Sequence, residues 1–144
     1  MPALLKLASV AIYEGFFNVT YCLKPLLTHD GLAVRFRKRD FSHCAYESSR
    51  RDGNKDTFSP QRAERLGWIR EALQDPNLTL YAGWDKKKRR YDHNSRVTIM
   101  IDDLVVVIRL KSATEADFVT CYVADTPASK AKLLTSPRWK NPFI

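Results

Sequence analysis

Three apolar, β-branched runs follow one another with almost no chain between them: "RVTIMID" at 96–102, "LVVVIRLK" at 104–111 and "DFVTCYVA" at 117–124. Such residues suit a pleated, half-buried surface, and connections this short force neighbouring strands to run antiparallel. Asp102-Asp103 falls at the first tight turn, and "SATEA" makes the second connection. A fourth strand signal, "LTLYAGW", precedes them, separated by the polar run "DKKKRRYDHNS", which reads as a long loop. Any fold for this chain has to be built around that sheet.

The helical signals lie mainly upstream. In "SPQRAERLGWIREALQDP", Ser59 suits an N-cap, Pro60 the first helical position and Pro76 a stop. Leu66, Ile69 and Leu73 recur at helical spacing and predict its buried stripe. The opening "MPALLKLASVAIYEGFF" reads as a packed helix, because Lys6 and Glu14 interrupt it and it is too short to span a bilayer. A short helix is expected after Thr126, followed by a basic tail. The expectation is an α+β fold with N-terminal helices packed on one face of a four-stranded antiparallel sheet. At 144 residues one compact unit is expected, with a neutral appendage at 1–31 and a basic core at 32–144.

Charge narrows the function. Against 16 acidic residues stand 24 basic ones, giving +8, which favours a polyanionic partner, nucleic acid ahead of a membrane surface. Three widely spaced cysteines with no CxxC pair signal neither a disulfide framework nor a zinc site, and they suit a reducing cytoplasm. No metal or cofactor is implied.

Alternation along the strands assigns faces. Val97, Ile99 and Ile101, then Val106, Ile108 and Leu110, then Val119, Cys121 and Val123 form the expected core face. Matching those faces pairs Ile99 with Ile108 and Ile108 with Cys121. The same register sets Thr98, Arg109 and Thr120 in one row on the outer face. Tyr122 then stands two residues on, and Arg96 lies beside Lys111. A polar outer face is ordinary for a sheet. A second feature gives it interest: "VRFRKRDFSHCAY" at 34–46 packs Arg35, Arg37, Lys38 and Arg39 just ahead of His43. A lone histidine is more often structural than catalytic, and His29 and His93 have weaker surroundings than His43.

Brought together, these parts suit RNA cleavage in which the ribose 2′-OH is the nucleophile. The protein then needs an acid–base group titrating near neutrality, and histidine has it. It also needs fixed donors around the developing phosphorane, which Arg109, Thr120 and Tyr122 could supply. Asp40 is a candidate to balance the cations around His43. The cations Arg37, Lys38, Arg39, Arg96 and Lys111, with Thr98, would bind substrate. So would Lys87, Lys88 and Arg89 in the run "KKKRR", flanked by Trp84 and Tyr91 as stacking platforms.

The basic strand, the "FSH" of "DFSH", "RAERLGWIREALQDP", "VVVIRL" and "FVTCY" resemble the barnase–EndoU–colicin–RelE-like ribonuclease superfamily, in its phage- and toxin-associated branches. The resemblance covers roughly 32–139 and implies N-terminal helices against a four-stranded antiparallel sheet. It implies metal-independent cleavage of tRNA or mRNA to a 2′,3′-cyclic phosphate, acting in the cytoplasm from a phage-encoded or delivered protein. It also implies an acidic immunity protein or antitoxin as partner beside RNA. In the tRNA-cleaving branch, lysines precede a catalytic histidine, and a serine and a tryptophan lie two positions apart on a later strand. Lys38, Arg39 and His43 match the first group, and Thr120 with Tyr122 the second. The basic–histidine spacing is looser here, and Tyr122 in place of the indole leaves stacking and donation both open. The competing expectation is a non-catalytic nucleic-acid-binding module, in which the same cations only track the backbone.

Overall fold

The computed structural model describes residues 2–50, 55–85, 87–124 and 126–139, with the side chains at 93–95 outside that description. Helices α1 (Val10–Phe17), α2 (Asp40–Ala45), α3 (Pro60–Ala63), α4 (Trp68–Gln74) and α5 (Pro127–Leu134) accompany eight strands. These are β1 (Leu26–Leu27), β2 (Ala33–Arg35), β3 (Tyr46–Glu47), β4 (Thr57–Phe58), β5 (Leu80–Asp85), β6 (Arg90–Ile101), β7 (Leu104–Leu110) and β8 (Glu115–Val123). Among the described residues no helix is long and apolar enough to cross a membrane.

The expected four-stranded antiparallel sheet is corrected. The fold is α+β, but its main sheet has six strands in the order β1-β2-β8-β7-β6-β5, with β3 and β4 forming a separate pair. The sheet is mixed, because β2 lies parallel to β8 with Ala33 opposite Glu115 and Arg35 opposite Asp117. The basic strand expected at the start of 34–46 is β2, but two- and three-residue strands carry no measurable alternation, so neither its place beside β8 nor the presence of β1 was expected. The 1–31 segment, read as an appendage, sends Tyr13, Phe17, Tyr21 and Leu26 into the same core as the sheet. Tyr21 is held there by its hydroxyl, which donates to the Leu66 carbonyl and accepts from the Arg70 amide.

The central strands pair antiparallel as expected, in a different register. Ile99 lies opposite Val106 and Val97 opposite Ile108. A two-residue slide keeps every side chain of β6 and β7 on its expected face, so alternation alone could not reveal it. On β8 the pairing shifts between Val107, opposite Thr120, and Ile108, opposite Phe118, so Val119 is an extra residue in a bulge. The bulge turns Phe118 into the core, where it stacks on Phe36 at 4.8 Å between ring centroids. Asp117 is carried to the outer face.

The expected single helix over 59–76 is two helices. Ser59 caps the first by accepting from the Arg62 amide at 3.2 Å. Arg65 and Leu66 then bond to carbonyls three residues back, which tightens the chain into turns before α4. Arg65 is the reason the break is stable. Its guanidinium bonds both oxygens of Asp103 at 2.9 and 3.2 Å and lies over Trp68 at 5.0 Å. Leu66, Ile69 and Leu73 are all buried, as their spacing predicted. The 85–95 run is a hairpin end, not a long loop: β6 already begins at Arg90, and Asp102 makes the next turn with a left-handed φ of 51°.

Two consequences are testable. A Cβ at Gly83 would sit 2.7 Å from the Arg96 Cβ. Gly83→Ala should therefore cost about 1–3 kcal/mol in urea unfolding through overpacking, and an unchanged midpoint would contradict that close approach. Deleting Val119 would leave Phe118 inward, Thr120 outward and Cys121 inward, which restores regular pairing with Ile108, Val107 and Val106 without turning any of them over. The deletion variant should therefore keep a cooperative thermal transition, as should Val119→Ala at a cost of about 1 kcal/mol, and loss of cooperativity on deletion would contradict the placement of Val119 as the extra residue.

Candidate nucleic-acid interface

The outer face is organised in rows that differ from those expected. Thr98 lies between Tyr81 and Val107, and Val107 pairs with Thr120. Arg109 is not in that row. It lies between Arg96 and Asp117 one row away, and Arg96 faces Arg109 where Lys111 was expected. Thr98 itself is only 6% exposed, so its hydroxyl is largely shielded from solvent. Tyr122 occupies the row on the other side, opposite Val105. Arg109, Thr120 and Tyr122 thus share a face over three successive rows, which meet β8 across the six residues Asp117–Tyr122.

Directly opposed like charges disfavour a sheet pair, and Arg96–Arg109 is such a pair. Arg109 is exposed, and among the described residues no carboxylate lies within ion-pair distance of it. Asp117, missed by sequence reading, completes the row. Its carboxylate is 7% exposed and sits between Arg37 at 3.4 Å and Lys111 at 3.9 Å. The one available signal was the apolar Phe118 next to the apolar Val119, which breaks the two-residue period.

Helix α2 brings His43 to the edge of this face. β2 pairs only with the first three residues of β8, and beyond Asp117 the edge of β8 is met by α2. Phe41, Cys44 and Ala45 are its buried side; Cys44 is a free thiol in hydrogen-bond contact with the free thiol of Cys121, and its pKa is pushed up chiefly by burial. His43 is on the exposed side, and its carbonyl accepts from the Thr120 hydroxyl at 3.4 Å. Asp40 does not serve His43: its carboxylate caps the Arg37 amide at 2.8 Å, closing the turn that starts α2. Arg39 is exposed at the helix entrance, where its carbonyl accepts from Ser42.

The basic run forms the tip of the β5–β6 hairpin. Lys87, Lys88 and Arg89 are exposed, and Asp85 accepts from the Lys87 and Lys88 amides at 2.9 and 3.2 Å. Lys86, the side chain of His93 and the tail after 139 lie outside the described residues. Trp84 and Tyr91 face each other across the hairpin edge-to-face at 5.2 Å, leaving Trp84 49% exposed. Trp139 is not on this surface; it is buried over the core side, beside Leu80 and Val97. Trp68 is likewise core.

Sheet geometry puts the cations at one end. β7 ends where Arg109 and Lys111 lie, β8 starts there, and the β5–β6 hairpin projects past that end. Beside it a cleft of about 570 Å³ opens between the Cys22–Pro25 segment, β2 and the start of β8. Arg37 and Lys38 line that cleft. Comparison with family models, curated proteins and solved structures finds no match for this chain.

Burial raises the phenols of Tyr122 and Tyr21 above their ordinary value. Below pH ~10 both are neutral whether the chain is folded or not. Above it, the unfolded chain releases protons that the folded protein keeps, so stability should fall as pH rises through the alkaline range. Absorbance titration of the phenolate band should show a late-ionising group that Tyr122→Phe removes. Identical titrations of the two proteins would contradict the burial of Tyr122.

Proposed function

We propose that the protein is a metal-independent RNA endonuclease of the toxin or phage-associated kind. The observation that carries the reading is the contact between Thr120 and the His43 carbonyl. It fixes the helix bearing an exposed imidazole at the border of the face that holds Thr120, Tyr122 and Arg109. The likeness of the "DFSH" and "FVTCY" segments to the barnase–EndoU–colicin–RelE-like ribonucleases points the same way.

In this reading His43 takes the proton from the ribose 2′-OH. The 2′ oxygen attacks phosphorus, the bond to the 5′ oxygen breaks, and that oxygen takes a proton from water, giving a 2′,3′-cyclic phosphate and a 5′-OH. Arg109 offers a planar fork to the non-bridging oxygens as charge develops. Tyr122, kept protonated by burial, remains a hydrogen-bond donor throughout the working pH range. Thr120 works differently, because its hydroxyl is already directed to the His43 carbonyl; it positions the helix more than it contacts substrate. The protein leaves the nucleophile to the RNA, so a serine or cysteine nucleophile is not required.

A binding-only module is the competing reading, favoured by the exposed Trp84 beside the basic hairpin tip. One experiment separates them. Purified protein in EDTA should cut total tRNA or mRNA between pH 5 and 9. Cut ends should carry the cyclic phosphate. His43→Ala should lower the rate by about 10²-fold or more while leaving RNA affinity close to that of the parent. Arg109→Lys should lose about tenfold or more, since a point charge cannot reproduce the fork. Intact RNA across the range, or full cleavage by the His43 variant, would refute the proposal.

A further inference from the structure

We infer that the cleft beside β2 is a phosphate-binding subsite that holds single-stranded RNA flanking the scissile bond, and that the N-terminal segment exists in part to wall it. This rests on the nuclease reading for its substrate class, though the cleft's charge stands independently.

Five cations converge on the cleft from three separate stretches of chain: Lys24 after the π-helical turn Asn18–Cys22 that continues α1, Arg35, Arg37 and Lys38 along and beyond β2, and Lys111 after β7. Two carboxylates, Glu115 and Asp117, face them. Asp117 is shared by Arg37 and Lys111, so it gathers two positive heads at one point and leaves them jointly positive. Lys24, Arg35 and Lys38 are exposed, and among the described residues none has an ion-pair partner. Unneutralised like charges lining one concavity repel one another, and an anion entering it relieves that repulsion.

Size and continuity select the anion. At about 570 Å³ the cleft lies within the ~300–1,000 Å³ range of sites for whole small molecules, well above what one inorganic phosphate needs. It is continuous with the proposed catalytic face through Asp117, which lines the cleft and also ends the Arg96–Arg109 row. Asp117 and Thr120 lie opposite Arg109 and Val107, two residues apart on β7, so about 7 Å separates them along the sheet at ~3.4 Å per residue. A single strand therefore reaches from the His43 edge into the cleft within a few nucleotides. A mononucleotide fits one of the two places but not both.

The test uses a fluorescent 2′-O-methyl RNA 12-mer, which lacks the nucleophile, and a matching trinucleotide. The doubly substituted protein Lys24→Ala/Arg35→Ala should bind the 12-mer about tenfold more weakly. Its slope of log affinity against log salt should shrink by about 1.4, at ~0.7 per phosphate contact on a single strand. The loss for the trinucleotide should be at least fivefold smaller. The charge-preserving pair Lys24→Arg/Arg35→Lys should retain the parental slope, which a merely structural role would not require. Parental affinity and slope in the alanine protein overturn the inference, as does an equal loss for both oligonucleotides. If the parent cleaves RNA and the alanine protein still binds like it, the cleft fails and the nuclease stands. If cleft-dependent binding is found in a protein that cuts nothing, the catalytic reading fails and the subsite stands.

Discussion

The arrangement depends on one extra residue in β8. If Val119 took a regular place in the ladder, strict alternation back from Cys121 would send Phe118 outward and Asp117 inward, opposite to what the structure holds. Both errors would be expensive. Phe118 stacks on Phe36, which contacts Tyr21 at 4.8 Å, which in turn contacts Phe17 at 5.3 Å, and Phe17 meets Phe41 of α2 at 5.9 Å. That aromatic chain joins β8, β2, the π-helical turn, α1 and α2 through a single seam. Burying a phenylalanine-sized side chain is worth about 1.5–3 kcal/mol, and aromatic contacts add about 0.5–1.5 kcal/mol each, so the seam is a major part of a small domain's cohesion. The same bulge delivers the carboxylate that gathers Arg37 and Lys111. Core and site are therefore set by one local irregularity.

This explains why residues 10–27 belong to the folding unit. The sheet from β5 to β8 has a helical face that α4 covers over β6 and β7, and α2 with α3 covers over β8. Tyr13, Phe17 and Tyr21 fill the space between these helices, and the Tyr21 hydroxyl closes onto α4 through Leu66 and Arg70. A helix that is neutral and apolar on several sides looks dispensable in a linear reading. In the fold it links both groups of helices, and the chain that leaves it becomes the wall of the cationic cleft.

What could be read from sequence follows the physics of each signal. Four long strands, the Asp102-Asp103 turn, the Ser59 and Thr126 caps and the Leu66–Ile69–Leu73 stripe rest on local chemistry, and all were legible. Register was not. Sliding β6 past β7 by two residues preserves every face, so Thr98 was expected beside Arg109 when Val107 is its neighbour. The bulge was hidden because Val119 and Phe118 are both apolar, so either could be the inward residue. The break at Glu64–Gly67 depends on Arg65 reaching Asp103, a contact across 38 positions that no window along the chain contains. For the proposed site, His43, Thr120 and Tyr122 were named from residue type and resemblance, whereas Asp117 and Lys24 enter it only through tertiary placement.

The charges show how the molecule divides its carboxylates. Asp103 holds Arg65, Glu64 holds Lys6, and Asp40 caps the Arg37 amide. These acids serve the fold, at the helix break, the N-terminal strand-like lead and the entrance to α2. At the far end of the sheet, Arg96, Arg109, Lys111, Arg37 and Lys38 meet with Asp117 among them, while the hairpin tip adds Lys87, Lys88 and Arg89. A protein of net charge +8 could spread its excess evenly and lower its self-repulsion. This one concentrates it along one end and beside one cleft, where opposed arginines weaken the sheet they stand on. Under the proposed function, a polyanion lying across that end offsets the repulsion. That is the physical reason for treating the end of the sheet, the cleft and the His43 edge as one continuous surface.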